Sequence, residues 1–198
     1  MQSFAVFVAT CLAVAAANPI AKGIYDGCGT TTTCWGVNAD SGSGCVDTQD
    51  CSLIVAWSLD GEAYNFELQA TNPENGWVGF GLSRDTSMGD DSVVICNSES
   101  GNADLYWNVA ESDEVKYPLP VGDNTGLTTG SVTNDNGIYC SFTRDSSLTF
   151  LTPVDPAEEV TFDLASEAFY ILLSTGPIID GELNQHNAVG ISDDLVQF

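Results

Sequence analysis

Beyond its first residue the chain carries one methionine, Met88, and one histidine, His186. Met88 stands in Asp85-Thr-Ser-Met-Gly-Asp-Asp91 and His186 in Gly181-Glu-Leu-Asn-Gln-His-Asn187. A thioether and an imidazole are the two axial donors that hold a six-coordinate haem iron for electron transfer. Any haem held by that pair in this chain must use these two side chains, because no other Met or His competes. Taken singly they have plainer readings: a Met that fills a core gap, and a His exposed in a loop. The surrounding sequence decides between those readings.

Other chemistries find less support. Nucleophilic hydrolysis would set His186 beside a serine and an acid, yet there is no G-x-S-x-G elbow. Twenty-eight acids neither support nor exclude glycosidase chemistry, which needs only two carboxylates. The Asp, Asn and Gly clusters around Asp123 and Asn134 do not fit a twelve-residue calcium loop and read as turns. Gly79-Phe-Gly81 is followed by Arg84 where a dinucleotide fingerprint has its third glycine. Zinc is disfavoured, since there is no C-x-x-C and only one His. With no C-x-x-C-H, any haem is non-covalent.

The elements that must position Met88 and His186 read as strands. Ser52–Ser58 places Leu53, Val55 and Trp57 on one face, and Ala63–Ala70 does the same with Tyr64, Phe66 and Leu68. Asp60-Gly61 between them predicts a two-residue hairpin turn with both positions at positive φ. Asn75-Gly76 precedes a strand over Trp77–Ser83, and Asn136-Gly137 precedes one over Ile138–Phe142. Further strands are predicted over Ser92–Cys96, Asp104–Val109, Val160–Leu164 and Ala168–Thr175, the last broken by Gly176-Pro177. Asp155-Pro156-Ala-Glu158 predicts one capped helical turn. Short strands separated by Gly, Pro, Asn and Asp predict an all-β sandwich or barrel, with Met88 and His186 in loops.

Met1–Ala17 reads as a signal peptide, apolar from Phe4 and ending in Ala15-Ala16-Ala17. Asn18–Phe198 is then the secreted chain, with no later run able to span a bilayer. Asn18–Cys51 reads as a cysteine-rich segment packed onto a sandwich over residues 52–198. After Cys11 leaves with the signal, six cysteines remain, which implies a disulfide framework in an exported protein. Fifteen pairings are open. The favoured set is Cys28–Cys34 and Cys45–Cys51, each a C-x5-C loop, with Cys96–Cys140 joining two strands. The 28 acids are opposed only by Lys22, Arg84, Lys116 and Arg144, which leaves a net charge of −24. Such a surface repels nucleic acid and anionic headgroups and attracts cations or basic proteins.

The run Gly76-Trp-Val-Gly-Phe-Gly-Leu-Ser-Arg-Asp-Thr-Ser-Met-Gly-Asp-Asp-Ser-Val-Val-Ile-Cys96 resembles the DOMON family motif, a strand G-W-x-G-x-G-F-S leading to M-G-x-D. Tyr139-Cys-Ser-Phe-Thr-Arg-Asp145 and Phe169-Tyr-Ile-Leu-Leu-Ser-Thr-Gly-Pro177 continue the match. The Cys28–Cys51 segment is similar to the extracellular portion of ferric-chelate reductase 1 proteins. The resemblance implies an immunoglobulin-like β-sandwich. It further implies haem b held by Met88 and His186, relaying single electrons to a partner, by its charge a basic redox protein or a metal cation. Trp77, Phe80, Tyr170 and Leu172 are the side chains expected to line the macrocycle, or else to be ordinary core. Gln185 stands where relatives often have a His or an aromatic. The rival readings are a haem-free extracellular module for carbohydrate or protein, and an acidic secreted matrix protein.

Overall fold

The computed structural model describes residues 23–38, 42–71, 76–109, 118–135 and 137–198. The expected signal segment and the turn residues Asn75 and Asn136 lie outside the described residues. Among the described residues two four-residue helices, α1 (Gly23–Asp26) and α2 (Cys45–Thr48), accompany sixteen strands. These begin with β1 (Thr33–Asn38), β2 (Gly42–Ser43), β3 (Leu53–Asp60), β4 (Ala63–Ala70), β5 (Gly76–Ser83) and β6 (Asp91–Asn97). They continue with β7 (Asn102–Asn108), β8 (Leu119–Pro120), β9 (Leu127–Asn134), β10 (Ile138–Asp145) and β11 (Ser147–Leu151). The last are β12 (Glu159–Asp163), β13 (Ala168–Ile179), β14 (Glu182–Leu183), β15 (Ala188–Ile191) and β16 (Val196–Gln197).

Alternating apolar residues pair these strands into two antiparallel sheets that face each other, the immunoglobulin-like sandwich. One sheet runs β2-β1-β3-β4-β10-β9, and the other β14-β13-β5-β6-β7-β8, with β15 and β16 also on β13. Strands β11 and β12 form a separate hairpin. Every second residue points inward, so Leu53, Val55, Trp57, Phe66, Leu68, Val78, Phe80, Leu82, Ile171 and Leu173 share one core. Phe66 lies at its centre, 4.8 Å from the Phe80 ring and 5.1 Å from that of Phe142. The disulfide Cys96–Cys140 crosses this core from β6 to β10, tying one sheet to the other.

The structure differs from the sequence reading in four places. The segment before Cys51 carries the disulfides Cys28–Cys34 and Cys45–Cys51, but it also supplies a sheet strand. β1 pairs with β3 from Thr33–Trp57 to Val37–Leu53, so the segment that packs onto the sandwich also extends its sheet. The β3–β4 turn falls on Gly61-Glu62, because Asp60 still pairs with Ala63, and only Gly61 has positive φ (67°). Asp155–Glu158 forms a bend with a cis Asp155–Pro156 bond and no helical turn. β13 continues through Gly176-Pro177 to Ile179: Pro177 lies at the last register with β5, opposite Gly76, where a missing amide is tolerated.

Candidate functional site

Pairing registers assign the faces of the sheet that carries both candidate ligands. Val78, Phe80 and Leu82 enter the core, so Trp77, Gly79, Gly81 and Ser83 face outward. Opposite them on β13 stand Gly176, Ser174, Leu172 and Tyr170, and on β6 Ile95 and Val93 stand opposite Gly79 and Gly81. Val189 and Ile191 on β15 extend the same face beside Ser174 and Leu172. Trp77, Val93, Ile95 and Ile178 form a second apolar cluster here, with Tyr106 and Leu183 packed against it. Burial raises the Tyr106 phenol above its ordinary pKa, with Asp104 and Glu182 adding to the effect.

Three of the four expected lining residues, Trp77, Tyr170 and Leu172, therefore share this outer face. Phe80 does not. Its ring is in the inter-sheet core against Phe66 and Phe142, because residues 77 and 80 of one strand have opposite parity. At Gly79 and Gly81 the missing side chains let the Trp77 ring and the Leu172 side chain lie over the strand. A Cβ at Gly81 would sit 3.0 Å from that of Leu172, and one at Gly79 would lie 3.1 Å from Ser174 Oγ and 3.3 Å from the Trp77 ring.

His186 reaches this face on a strap between β13 and β15. β13 runs beyond β5, turns at Asp180-Gly181 (φ 55° and 80°) and returns as β14 against Ile178 and Ile179. The Trp77 indole N–H donates to Asn184 O at 3.1 Å, and the Asn184 amide donates to Pro177 O at 3.0 Å. The Asn187 amide donates to Thr175 O at 2.9 Å before β15 begins. His186, half-buried, sits between these fixed points. The Trp77 ring lies flat on Gly176, where an added Cβ would be 2.9 Å from three indole atoms.

Met88 is carried by the 84–90 loop between β5 and β6 and is 51% exposed, so it does not fill a core gap. Arg84 starts the loop: its guanidinium bonds Glu167 Oε2 at 2.9 Å and Thr161 O at 2.7 Å, over the Phe162 ring at 4.3 Å. The Ser87 amide donates to Asp85 Oδ1 at 2.7 Å. Asp91, fully buried, closes the loop by accepting the Gly89 amide at 3.0 Å. Burial raises the Asp91 carboxyl above its ordinary pKa and Asp85 adds to the rise, opposed by hydrogen bonds from Ser83, Gly89 and Asn108. Asp91, Asn108 and Asn184 escaped the sequence reading of the site; only Asp91 had a signal, as the last residue of Met-Gly-Asp-Asp.

Met88 and His186 thus flank one face from opposite ends of β5. Ser83, which starts the Met88 loop, and Val78, level with the Thr175 anchor of the strap, are five registers apart, about 17 Å of strand. Their donor types are those a haem iron takes, and the face between them is apolar and covered by its own side chains. The structure therefore sets the segments that carry the two side chains at opposite ends of this face and does not bring the two together. Among the described residues no group of three or more His, Cys, Asp or Glu could hold a metal ion, and no helix is long and apolar enough to cross a membrane.

Fold and site define the class: an antiparallel β-sandwich with its candidate ligands on the outer face of one sheet. The DOMON domain profile matches residues 27–175, and the chain belongs to that family. A Drosophila melanogaster protein described as a ferric-chelate reductase 1 homolog is 30% identical over 172 residues, 86% of this chain and 24% of that one. The human DOMON domain-containing protein FRRS1L is 28% identical over 173 residues, 86% of this chain and 53% of that one. The chain therefore spans a quarter to a half of these relatives. The cytochrome domain of Myriococcum thermophilum cellobiose dehydrogenase superposes with a TM-score of 0.48 at 15% identity, covering 71% of this chain and 73% of that one.

Proposed function

We propose that this chain is a secreted electron-transfer module that binds haem b non-covalently, with Met88 and His186 as axial ligands. The observation that carries the reading is the shared outer face. The chain's single His and its single Met after Met1 flank the same apolar surface, one on a tied strap and one in an exposed loop. A bound haem, which Met88 and His186 would hold, would supply one-electron chemistry.

The chain's own residues do the rest. Trp77 and Asn184 hold the strap that orients the imidazole. Leu172, Val93 and Ile95 exclude water from the face, and Gly79 and Gly81 let Trp77 and Leu172 pack closely over it. The −24 charge steers a basic redox protein or a metal cation to the surface and holds anionic chelates away.

Haem titration into the purified chain tests this. One haem per chain, low-spin in both oxidation states, is expected. A chain that takes no haem contradicts the reading and leaves a haem-free binding module.

A further inference from the structure

Asp91 opens β6 three residues after Met88, and its side chain is fully buried although the loop it closes is exposed. One carboxylate oxygen, Oδ2, accepts both the Gly89 amide at 3.0 Å and the Asn108 side-chain amide at 3.1 Å. The Asn108 carbonyl in turn accepts the Asp90 amide at 2.7 Å. These three bonds fix residues 89–90 against β7 in the left-handed conformations, φ 130° and 59°, that turn the chain sharply after Met88. Burying a carboxyl group is costly unless its oxygens are bonded, and both amide bonds to Oδ2 come from the groups that hold this turn. The cost is incurred at the loop that bears Met88.

We infer that Asp91 is a positioning residue for the thioether: it holds the Met88–Gly89 turn on the outer face of the sheet that His186 also approaches. The inference rests on the haem reading of Met88 and His186. Asp91 touches neither side chain and acts through the Gly89 amide. Its charge alone is not the point, because the exposed neighbour Asp90 carries the same charge and engages β7 only through its main chain.

The test compares this chain with its Asp91→Ala, Asp91→Asn and Asp90→Asn variants, each reconstituted with haem b. Asp91→Ala is expected to lose the near-infrared band of a ferric haem with a thioether ligand, and its midpoint potential should fall to that of Met88→Ala. Asp91→Asn keeps an acceptor for the Gly89 amide and should restore the band, and Asp90→Asn should retain it. In the haem-free proteins, amide exchange at Gly89 and Asp90 should be at least about tenfold faster in Asp91→Ala alone. Should Asp91→Ala fail to fold, Asn108→Ala removes one of the two bonds and should give a mixed spectrum; an unchanged spectrum counts against the inference. An Asp91→Ala protein with the wild-type band and potential overturns the positioning role and leaves the haem reading standing. A wild type that takes no haem sinks the haem reading, and the exchange comparison then decides for or against Asp91 by itself.

Discussion

Trp77→Phe is the substitution that separates the strap from the rest of the sandwich. Trp77 is 5% exposed, its ring covers Gly176, and its indole N–H is tied to Asn184 O. Phenylalanine keeps a ring on the outer face but loses that N–H, about 1 kcal/mol, and the lost ring area adds about 1 kcal/mol more. A loss of about 2 kcal/mol in the closed strap corresponds to about a thirtyfold rise in its open population. The strap's own amides report it: Asn184 N–H on Pro177 O and Asn187 N–H on Thr175 O. Hydrogen exchange at these two amides should accelerate about thirtyfold, while core amides such as those of Phe66 and Phe80 follow only the change in global stability. In haem-loaded protein the same variant should lose haem faster, with Met88 ligation intact. Equal acceleration at strap and core would refute the reasoning, for it would make Trp77 an ordinary core residue. So would no acceleration at either.

The disulfides should rank by the loops they close. Replacing Cys96 and Cys140 by Ala, 44 positions apart, should cost about 4 kcal/mol on the chain-entropy scale, against about 2 kcal/mol for Cys28 and Cys34, 6 apart. Urea midpoints in matched buffers check this, and equal costs would contradict it. Because burial raises the Asp91 carboxyl, the folded state binds its proton more tightly than the unfolded chain does. Asp91 should therefore add stability at acid pH that is lost as pH rises from the ordinary value of 3.8 through the raised one. Asp91→Asn should remove that fall, read as the difference between wild-type and variant urea midpoints across the pH series. Electron exchange with a cationic acceptor should slow steeply with added salt, and exchange with an anionic one should quicken. Stopped-flow rates indifferent to salt would show that the −24 charge serves solubility alone.

Much of the sandwich was legible because burial on one face leaves alternation in β4 and β10. β9 was not, since Leu127-Thr-Thr-Gly-Ser-Val-Thr-Asn134 is a half-exposed edge strand with almost no apolar signal. β5 is buried on both faces, so burial alone could not say that Phe80 and Trp77 point opposite ways; their parity could. The strap was hidden for a different reason. Its order comes from Trp77, Pro177 and Thr175, contacts distant in sequence that no local pattern in Gly181–Asn187 announces.

The absorption spectrum of the haem-reconstituted chain beside Met88→Ala and His186→Ala tests the central claim most directly. A low-spin wild-type spectrum is expected, with each variant converting towards high-spin and His186→Ala retaining haem less well, since imidazole is the stronger donor. Wild-type spectra in both variants, or no haem bound at all, would contradict the assignment of Met88 and His186.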